Sequence, residues 1–229
     1  MALKHSPSIV SDGLILYLDA ANTRSYPGSG TTWFDLSSNG RNAIKAGSQS
    51  PTYPQFNTNK YFTFTGGVIA DNYSRFDVAN IPSFSTLSVF VWYRTSDTTN
   101  GKTILRMNNS DFELSVNVAS NFYVAAGTNF NDINAQATTA EITNGFWHNM
   151  GLTFDGINLK GFLDSRQISS NTRSSSTTTA AGTLRIGTRD DAYAQHFFGD
   201  IALVKIYNKV LTQGEIFQNF NAMRGRFGI

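Results

Sequence analysis

Cysteine is absent from all 229 residues of the sequence. Its absence excludes disulfide bonds, cysteine-ligated zinc, iron–sulfur clusters and cysteine nucleophiles. Long apolar runs are also missing, since none approaches the roughly 18 residues that cross a bilayer. The apolar run at 14–18 is too short for the core of a signal peptide, and it predicts a strand. We therefore expect no contact with a membrane.

Charged residues are scarce, at 15% of the chain with a net charge of +2, whereas typical soluble domains have roughly 25%. The basic residues are dispersed, which predicts no nucleic-acid partner. The three histidines, His5, His148 and His196, lack the spacing of a metal site. The sequence has neither a Gly-x-Ser-x-Gly elbow nor a nucleotide-binding fingerprint. These absences favour a protein that is not an enzyme.

Aromatic residues and short alternating runs are what the sequence offers instead. The 18 Phe and 9 Tyr favour strands, and the apolar runs are separated by Gly, Asn, Asp, Ser and Pro clusters. This pattern predicts an all-β protein of antiparallel strands. The predicted strands are 13–20, 61–65, 87–94, 102–107, 112–118, 122–126, 146–155, 159–164, 183–187 and 200–207.

Two parts of this pattern predict more than a strand. The strand at 87–94 has apolar residues on both faces, which predicts burial on both sides of its sheet. Asp155 and Gly156 lie between two strand-like runs. Because Asp-Gly tolerates positive φ angles, this pair predicts a hairpin.

The C-terminal end carries the one helical pattern that we find. Thr212 and Glu215 have the spacing of a capping box, in which each side chain bonds the other residue's backbone N–H. The segment 224–226 suits the end of a helix, where cations and glycine are favoured. The apolar residues that share one face of this helix are Ile216, Phe217, Phe220 and Met223.

The chain is predicted to be one sandwich domain at 13–223, with an N-terminal arm at 1–12 and a C-terminal tail at 224–229. No shift in composition marks a second domain, and the Ser/Thr-rich tract 169–179 predicts a loop. The termini near His5 and Ile229 are expected to protrude as attachment arms.

Two groups of residues have the composition of a sugar-binding loop, which combines an aromatic face with planar polar groups. Each group also fits a structural role, the first around a core aromatic and the second as a connection between strands. The first group is Trp33, Asp35 and Asn39, and the second is Asp190, Tyr193 and His196.

Calcium is the one cofactor that the sequence leaves open, because this ion needs oxygen ligands alone. None of the acidic loops reproduces an EF-hand, and Asp and Asn are also common turn formers. The candidate metal ligands are Asp71, Asn108, Asp111, Asp190 and Asp191.

Glycoside hydrolysis would require two carboxylates on either side of the scissile bond. The sequence contains three Glu and no Glu-x-Asp-x-Glu run. Asp111 and Glu113 come nearest to such a pair, although a strand start with a solvated acidic edge explains them better. We therefore expect no catalytic residues.

Four segments in order along the chain resemble the concanavalin A-like sandwich in its laminin G-like form. They are 13–43, 84–92, 147–164 and 184–212. The third contains Trp147-His148 and Leu152-Thr153-Phe154-Asp155-Gly156, which is similar to the family's W-H-x-V-x-x-T-Y-D-G hairpin. The resemblance implies a jelly roll of two antiparallel sheets with a short C-terminal helix. It transfers no site, because this fold hosts lectins, hydrolases and protein-binding modules alike.

The two end segments 25–36 and 215–229 resemble those of laminin G-like structural proteins of tailed bacteriophages, cyanophages among them. This resemblance implies a non-catalytic virion component, as a capsid decoration, a neck or head fibre, or a tail appendage. Such a protein is located in the virion after assembly in the host cytoplasm, and its partners are other virion proteins and copies of itself. The alternative is a lectin-like module that recognises a host surface glycan, with or without calcium.

Overall fold

A computed structural model of the chain describes residues 7–46, 54–65, 74–99, 102–107, 112–117, 121–126, 133–135, 137–172, 176–189 and 195–229. Within these ranges the regular secondary structure is mostly β-strand, as predicted. Its elements are β1 (Leu14–Asp19), β2 (Thr32–Trp33), β3 (Ala43–Ala46), β4 (Gln55–Asn57), β5 (Tyr61–Thr65), β6 (Arg75–Ile81), β7 (Leu87–Arg94), β8 (Lys102–Met107), β9 (Phe112–Asn117), β10 (Asn121–Ala126), β11 (Ile133–Ala135), α1 (Thr139–Ile142), β12 (His148–Phe154), β13 (Asn158–Leu163), β14 (Arg166–Thr172), β15 (Gly182–Ile186), β16 (Phe198–Tyr207) and α2 (Gln213–Phe227).

The strands form two antiparallel sheets of eight strands each. In sheet 1 the order is β14-β13-β12-β7-β16-β5-β4, and β1 pairs with the second half of β16. In sheet 2 the order is β11-β10-β9-β8-β15-β6-β3-β2. The order shows why strands distant in sequence are neighbours: the ten-residue β16 bonds β7 along one edge and both β5 and β1 along the other.

The core lies between the two sheets and is built largely from aromatic rings. Phe62 of sheet 1 meets Phe76 of sheet 2 with ring centroids 4.8 Å apart in an edge-to-face arrangement. Trp33 closes this cluster at 4.8 Å from Phe62 and 5.4 Å from Phe76. Edge-to-face aromatic pairs add roughly 0.5–1.5 kcal/mol to the free energy gained from area burial. Phenylalanine rings, which are abundant in the sequence, therefore make many of the contacts that hold the two sheets together.

The outer face of sheet 1 is covered by α2, which gives a third layer. Phe90 and Trp92 of β7 point outward, and both are at least 96% buried. Phe90 packs in a cluster with Ile216, whereas Trp92 packs in a cluster with Phe220. The predicted burial of β7 on both faces is confirmed. Neither helix in the described part of the chain is long and apolar enough to cross a membrane.

The capping box at the start of α2 forms as predicted. The Thr212 side chain accepts a hydrogen bond from the Glu215 backbone N–H at 3.2 Å, and Glu215 Oε2 accepts from the Thr212 N–H at 2.8 Å. At the far end Gly228 takes the left-handed conformation with φ of 77°, and its N–H bonds the Arg224 carbonyl. Both ends of the helix are thus fixed by local sequence.

Replacing Thr212 by Ala should lower the free energy of unfolding by about 1 kcal/mol, because one backbone N–H of the first turn loses its acceptor. Chemical denaturation measures the loss. Thr212→Ser keeps the hydroxyl and is the control. Equal losses in the two variants would show that the hydroxyl contributes nothing.

Several elements were not predicted. The one-turn α1 follows a second capping box, in which Glu141 Oε2 accepts from the Thr138 N–H at 2.7 Å. The predicted loop at 169–179 is wrong in its first part, since β14 extends to Thr172. That strand lies at the edge of sheet 1 and buries mainly Ile168, so its sequence is polar. β6 buries Phe76 and Val78 in alternation, a pattern that was present in the sequence.

The predicted domain boundaries also differ from the structure. The proposed tail at 224–229 is wrong, because α2 continues to Phe227. On the N-terminal side, the Val10 N–H bonds Asn219 Oδ1 at 2.8 Å, and Tyr207 donates its hydroxyl to the Val10 carbonyl at 3.1 Å. Residues 8–10 therefore belong to the folded unit, while His5 lies outside the described residues.

Candidate functional site

The aromatic residue of the first predicted sugar-binding group does not lie on the surface. Trp33 is 0% exposed. Its position on β2, which pairs with β3 at the edge of sheet 2, turns the indole toward the core. The indole has no surface to offer a glycan, so its assignment as a contact residue is wrong, and the structural alternative for Trp33 is correct.

Asp35 organises the loop that follows Trp33. Its Oδ1 accepts the backbone N–H groups of Tyr17 and Ser37, each at 2.9 Å, and its Oδ2 accepts that of Arg41 at 3.0 Å. The exposed Asn39 donates to Ser37 Oγ at 3.0 Å. The Asp35 carboxylate is thus occupied by the loop, which ties β1 to the segment after β2.

The second group is described only in part. His196 is 3% exposed, and its Nδ1 lies 2.8 Å from the Thr188 hydroxyl, so the predicted surface role of this imidazole is wrong. Asp190 and Tyr193 lie outside the described residues. The predicted metal ligands Asp71, Asn108, Asp111, Asp190 and Asp191 lie outside them too. In the ranges that are described, no three His, Asp or Glu side chains group around a metal position, and the calcium site stays a prediction.

Glu113 lies on the outer face of sheet 2 and is 3% exposed. Its Oε2 is 3.4 Å from the Arg106 Nε, and its Oε1 accepts hydrogen bonds from Thr103 at 3.0 Å and Ser115 at 2.6 Å. This carboxylate is held by an ion pair and two hydroxyls. Its proposed hydrolytic partner, Asp111, lies outside the described residues.

A different surface brings together aromatic rings, hydroxyls and a fixed ion pair. Two neighbouring cavities share Arg94 as a lining residue, and we call them together the Arg94 groove. Arg94 ends β7, and the neighbouring strand β16, with β5 beyond it, supplies further side chains to the groove. The last turn of α2 closes one end of the groove.

Arg94 is held in one orientation by four contacts. Its Nε donates to Asp200 Oδ2 at 2.7 Å, and its Nη2 donates to the Tyr61 hydroxyl at 2.9 Å. The guanidinium also lies over two rings, 4.9 Å from the Tyr61 centroid and 5.2 Å from that of Trp147. Partial burial disfavours the cation, but the hydrogen bond and the charge of Asp200 outweigh it and raise the pKa of Arg94. The guanidinium therefore stays charged at every physiological pH.

The larger cavity encloses about 360 Å³ beside this ion pair. Four hydroxyl side chains line it: Thr63, Thr65, Thr95 and Ser96. The Thr63 hydroxyl donates to Asp200 Oδ1 at 2.6 Å, which fixes the second carboxylate oxygen. The ring of Phe198 also lines the cavity and is 51% exposed. An exposed ring beside oriented polar groups is the arrangement that a small polar ligand requires.

Gly199 makes this arrangement possible. Its φ is 151°, and a Cβ atom at this position would lie 2.4 Å from the Arg94 carbonyl oxygen. Any side chain would therefore force β16 away from β7 just where Asp200 meets Arg94. The glycine allows the two strands to approach closely enough for the ion pair to form.

The smaller cavity encloses about 240 Å³ and is basic. Lys60, Arg94 and Arg226 line it, together with the rings of Trp147 and Phe227. These two rings pack with centroids 5.0 Å apart. Among the residues that the structure describes, no carboxylate lines this cavity.

No residue of this groove was among the site residues predicted from the sequence. Trp147 and Asp200 were predicted only as strand residues, and Phe198 was noted only within a segment of the family resemblance. Phe198 and Asp200 flank a glycine at the start of a strand whose only other charged residue is Lys205. That spacing could have indicated two functional side chains on one face. Arg94 and Arg226 come together only through strand order and helix packing, so no local pattern could have paired them.

A family model of known proteins matches residues 65–217, two thirds of the chain, and contains most of the larger cavity's residues. Its description is the concanavalin A-like lectin/glucanases superfamily. The chain belongs to this family. The resemblance drawn from the sequence is thereby confirmed at the level of the superfamily and its sandwich fold. No curated protein sequence matches this superfamily member significantly.

Solved structures similar to this concanavalin A-like chain include toxin domains and a sialidase. The binding domain of botulinum neurotoxin DC, in complex with SialylT, has a TM-score of 0.68 at 16% identity, over 93% of this chain and 52% of that one. Trypanosoma rangeli sialidase has a TM-score of 0.66 at 13% identity, over 93% and 33%. The botulinum neurotoxin serotype G binding domain has a TM-score of 0.63 at 14% identity, over 90% and 50%.

These identities are low, so the likeness shows the fold alone. The chain spans about half the length of the two toxin domains and a third of the sialidase. None of the three is described as a virion protein. The virion role, the virion location and the homo-oligomer therefore stay predictions from the sequence.

Proposed function

We propose that this chain is a lectin-like module that binds a glycan in the Arg94 groove without cleaving it. The observation that carries the proposal is the exposed ring of Phe198 beside the fixed pair of Arg94 and Asp200. A sugar ring has an apolar face of C–H groups that packs on an aromatic ring, and a rim of hydroxyls that bonds planar polar groups. The larger cavity offers both within 360 Å³, a volume typical of a small-molecule site.

The polar groups of the groove are fixed before any ligand arrives. Asp200 accepts from Arg94 and Thr63, and Thr95 donates to the Phe198 carbonyl at 2.6 Å. Such preorganisation lowers the entropic cost of binding. Binding without cleavage is part of the proposal, because the groove places Asp200 in an ion pair rather than opposite a second carboxylate.

The similar structures support a glycan as the ligand class. One is a toxin binding domain in complex with SialylT, and the sialidase has also been solved in complex with sialic acid. Those ligands belong to those proteins. Chains of this fold therefore occur in proteins that have been solved with such ligands. In this chain, the Arg94 groove supplies the aromatic ring and the polar groups that could bind a sugar.

Phe198→Ala should lower the affinity for bound glycans at least tenfold, because the sugar loses its stacking surface. A glycan array identifies the ligands, and calorimetry on the best of them measures the change. Phe217→Ala is the matched control, since Phe217 is 55% exposed on α2 and does not line the groove. Equal affinity of the two variants, or an array with no bound glycan, would contradict the proposal. Repeating the array with calcium and with a chelator tests the predicted ion.

A further inference from the structure

We propose that the smaller cavity of the Arg94 groove selects glycans that carry a carboxylate or sulfate group. This inference rests on the proposed glycan binding and adds the ligand's charge. Within the described part of the chain, three cations line the cavity, Lys60, Arg94 and Arg226, and no carboxylate does. It adjoins the larger cavity at Arg94, so one ligand can place a sugar ring in the first and an acidic group in the second.

The cations keep N–H donors for a ligand. A guanidinium carries five such donors. Arg94 donates to Asp200 and Tyr61, and Arg226 donates to Asp19 Oδ1 at 2.6 Å and to the Lys60 carbonyl at 2.7 Å. Each guanidinium therefore has further N–H groups that bond no protein acceptor within the described ranges. Planar, bidentate donation to carboxylates and sulfate-like anions is the interaction that arginine favours.

The carboxylates that pair with the two arginines of the cavity lie outside its lining. Asp200 pairs with Arg94, and Asp19 pairs with Arg226, but neither acid lines the cavity. The Lys60 amine has no carboxylate partner among the residues that the structure describes, so the cavity carries a surplus positive charge.

The backbone holds Lys60 at this point. Lys60 has a φ of 73° in the turn between β4 and β5, where its N–H bonds the Asn57 carbonyl at 2.8 Å. Arg226 of α2 fixes the carbonyl of the same residue. The rings of Trp147 and Phe227 exclude water from one side, which strengthens the attraction between charges. Four segments that are distant in sequence, at 59–61, 94, 147 and 226–227, thus converge on this cavity.

The test uses two pairs of saccharides that differ only in charge: oligogalacturonate with its methyl ester, and dextran sulfate with dextran. The first pair tests a carboxylate, and the second tests a sulfate. We expect at least tenfold tighter binding of the charged member in one or both pairs at 50 mM NaCl, and weaker binding of that member at higher salt. Equal binding of charged and neutral members would overturn the inference.

Lys60→Asn is the variant that locates the effect, because asparagine tolerates positive φ and should leave the turn intact. Arg224→Asn is its control, since Arg224 is an exposed cation on α2 that does not line the cavity. We expect Lys60→Asn to lose at least threefold in affinity for the charged saccharide and Arg224→Asn to lose nothing. Equal losses in both variants would show a general charge effect and overturn the inference.

The outcomes separate this inference from the proposed function. Suppose that neutral saccharides bind, that Phe198→Ala weakens this binding, and that charged saccharides bind no more tightly. This result would contradict the inference but would support the proposed glycan site. If no saccharide of either kind binds, both fail.

Discussion

Replacing Lys205 by Met should stabilise the folded chain by several kcal/mol at pH 6, and the gain should shrink as the pH rises. Lys205 is 2% exposed on the outer face of β16, beneath α2. Its amine lies 5.3 Å from the ring centroid of Tyr17. Burial lowers the pKa of Lys205 from 10.5 to about 7, although the charge of Asp19 acts in the opposite direction.

The direction of the pH effect follows from where the proton binds. Between pH 7 and 10.5 the unfolded chain holds a proton on this lysine that the folded chain does not. Lowering the pH through that window therefore favours unfolding, and the penalty reaches roughly 5 kcal/mol below pH 7. Between pH 6 and 9 the advantage of Lys205→Met should fall by roughly 2–3 kcal/mol.

Urea denaturation of the wild type and Lys205→Met at several pH values measures this difference. Other titrating groups, such as the tyrosines whose pKa is raised by burial, cancel in the comparison. Lys160→Met is the control, because Lys160 is exposed on β13. A constant difference between wild type and Lys205→Met across this pH range would show that the buried amine keeps an ordinary pKa.

Replacing Trp92 by Ala should cost about 3–5 kcal/mol, the range for truncating a large buried aromatic residue. Trp92 is 1% exposed, and two rings of α2 stack on it. The Phe227 centroid lies 4.1 Å from that of Trp92, and the Phe220 centroid lies 5.5 Å away. The variant removes the main apolar contact between sheet 1 and the end of α2.

Thermal and urea unfolding measure the loss, and Phe217→Ala on the exposed face of α2 is expected to cost under about 0.5 kcal/mol. Hydrogen exchange of the α2 amides tests the mechanism, since these should exchange faster than those of the sandwich core in Trp92→Ala. Unchanged exchange in α2 would mean that Trp92 acts through the sheet alone.

Strands and caps were largely predictable because their causes are local. The apolar run at 87–94, the Asp155-Gly156 turn and the Thr212 capping box each act over a few residues, and each forms the predicted element. β14 was missed because an edge strand needs little apolar sequence. The one-turn α1 was missed although Thr138 and Glu141 have the same spacing as the recognised box.

The candidate site was not predictable in the same way. Trp33 looked like a sugar platform in sequence, but the pairing of β2 with β3 turns its indole inward. Phe198 lay just before the predicted strand 200–207 and had no predicted role, but it is half exposed beside Arg94 and Asp200. Whether an aromatic ring is buried depends on which sheet face it occupies, and that face is set by pairing partners far along the chain.

The sequence by itself determined the fold class, the antiparallel strands, the helix start and the superfamily, because periodicity, turn chemistry and capping act between near neighbours. The tertiary structure alone decided which residues share a site. Arg94 and Asp200 are 106 residues apart, and Arg226 and Lys60 are 166 apart. They meet because β16 pairs with both β7 and β5 while α2 folds back over sheet 1. Contacts of that range depend on the packing of the whole core, which no local pattern encodes.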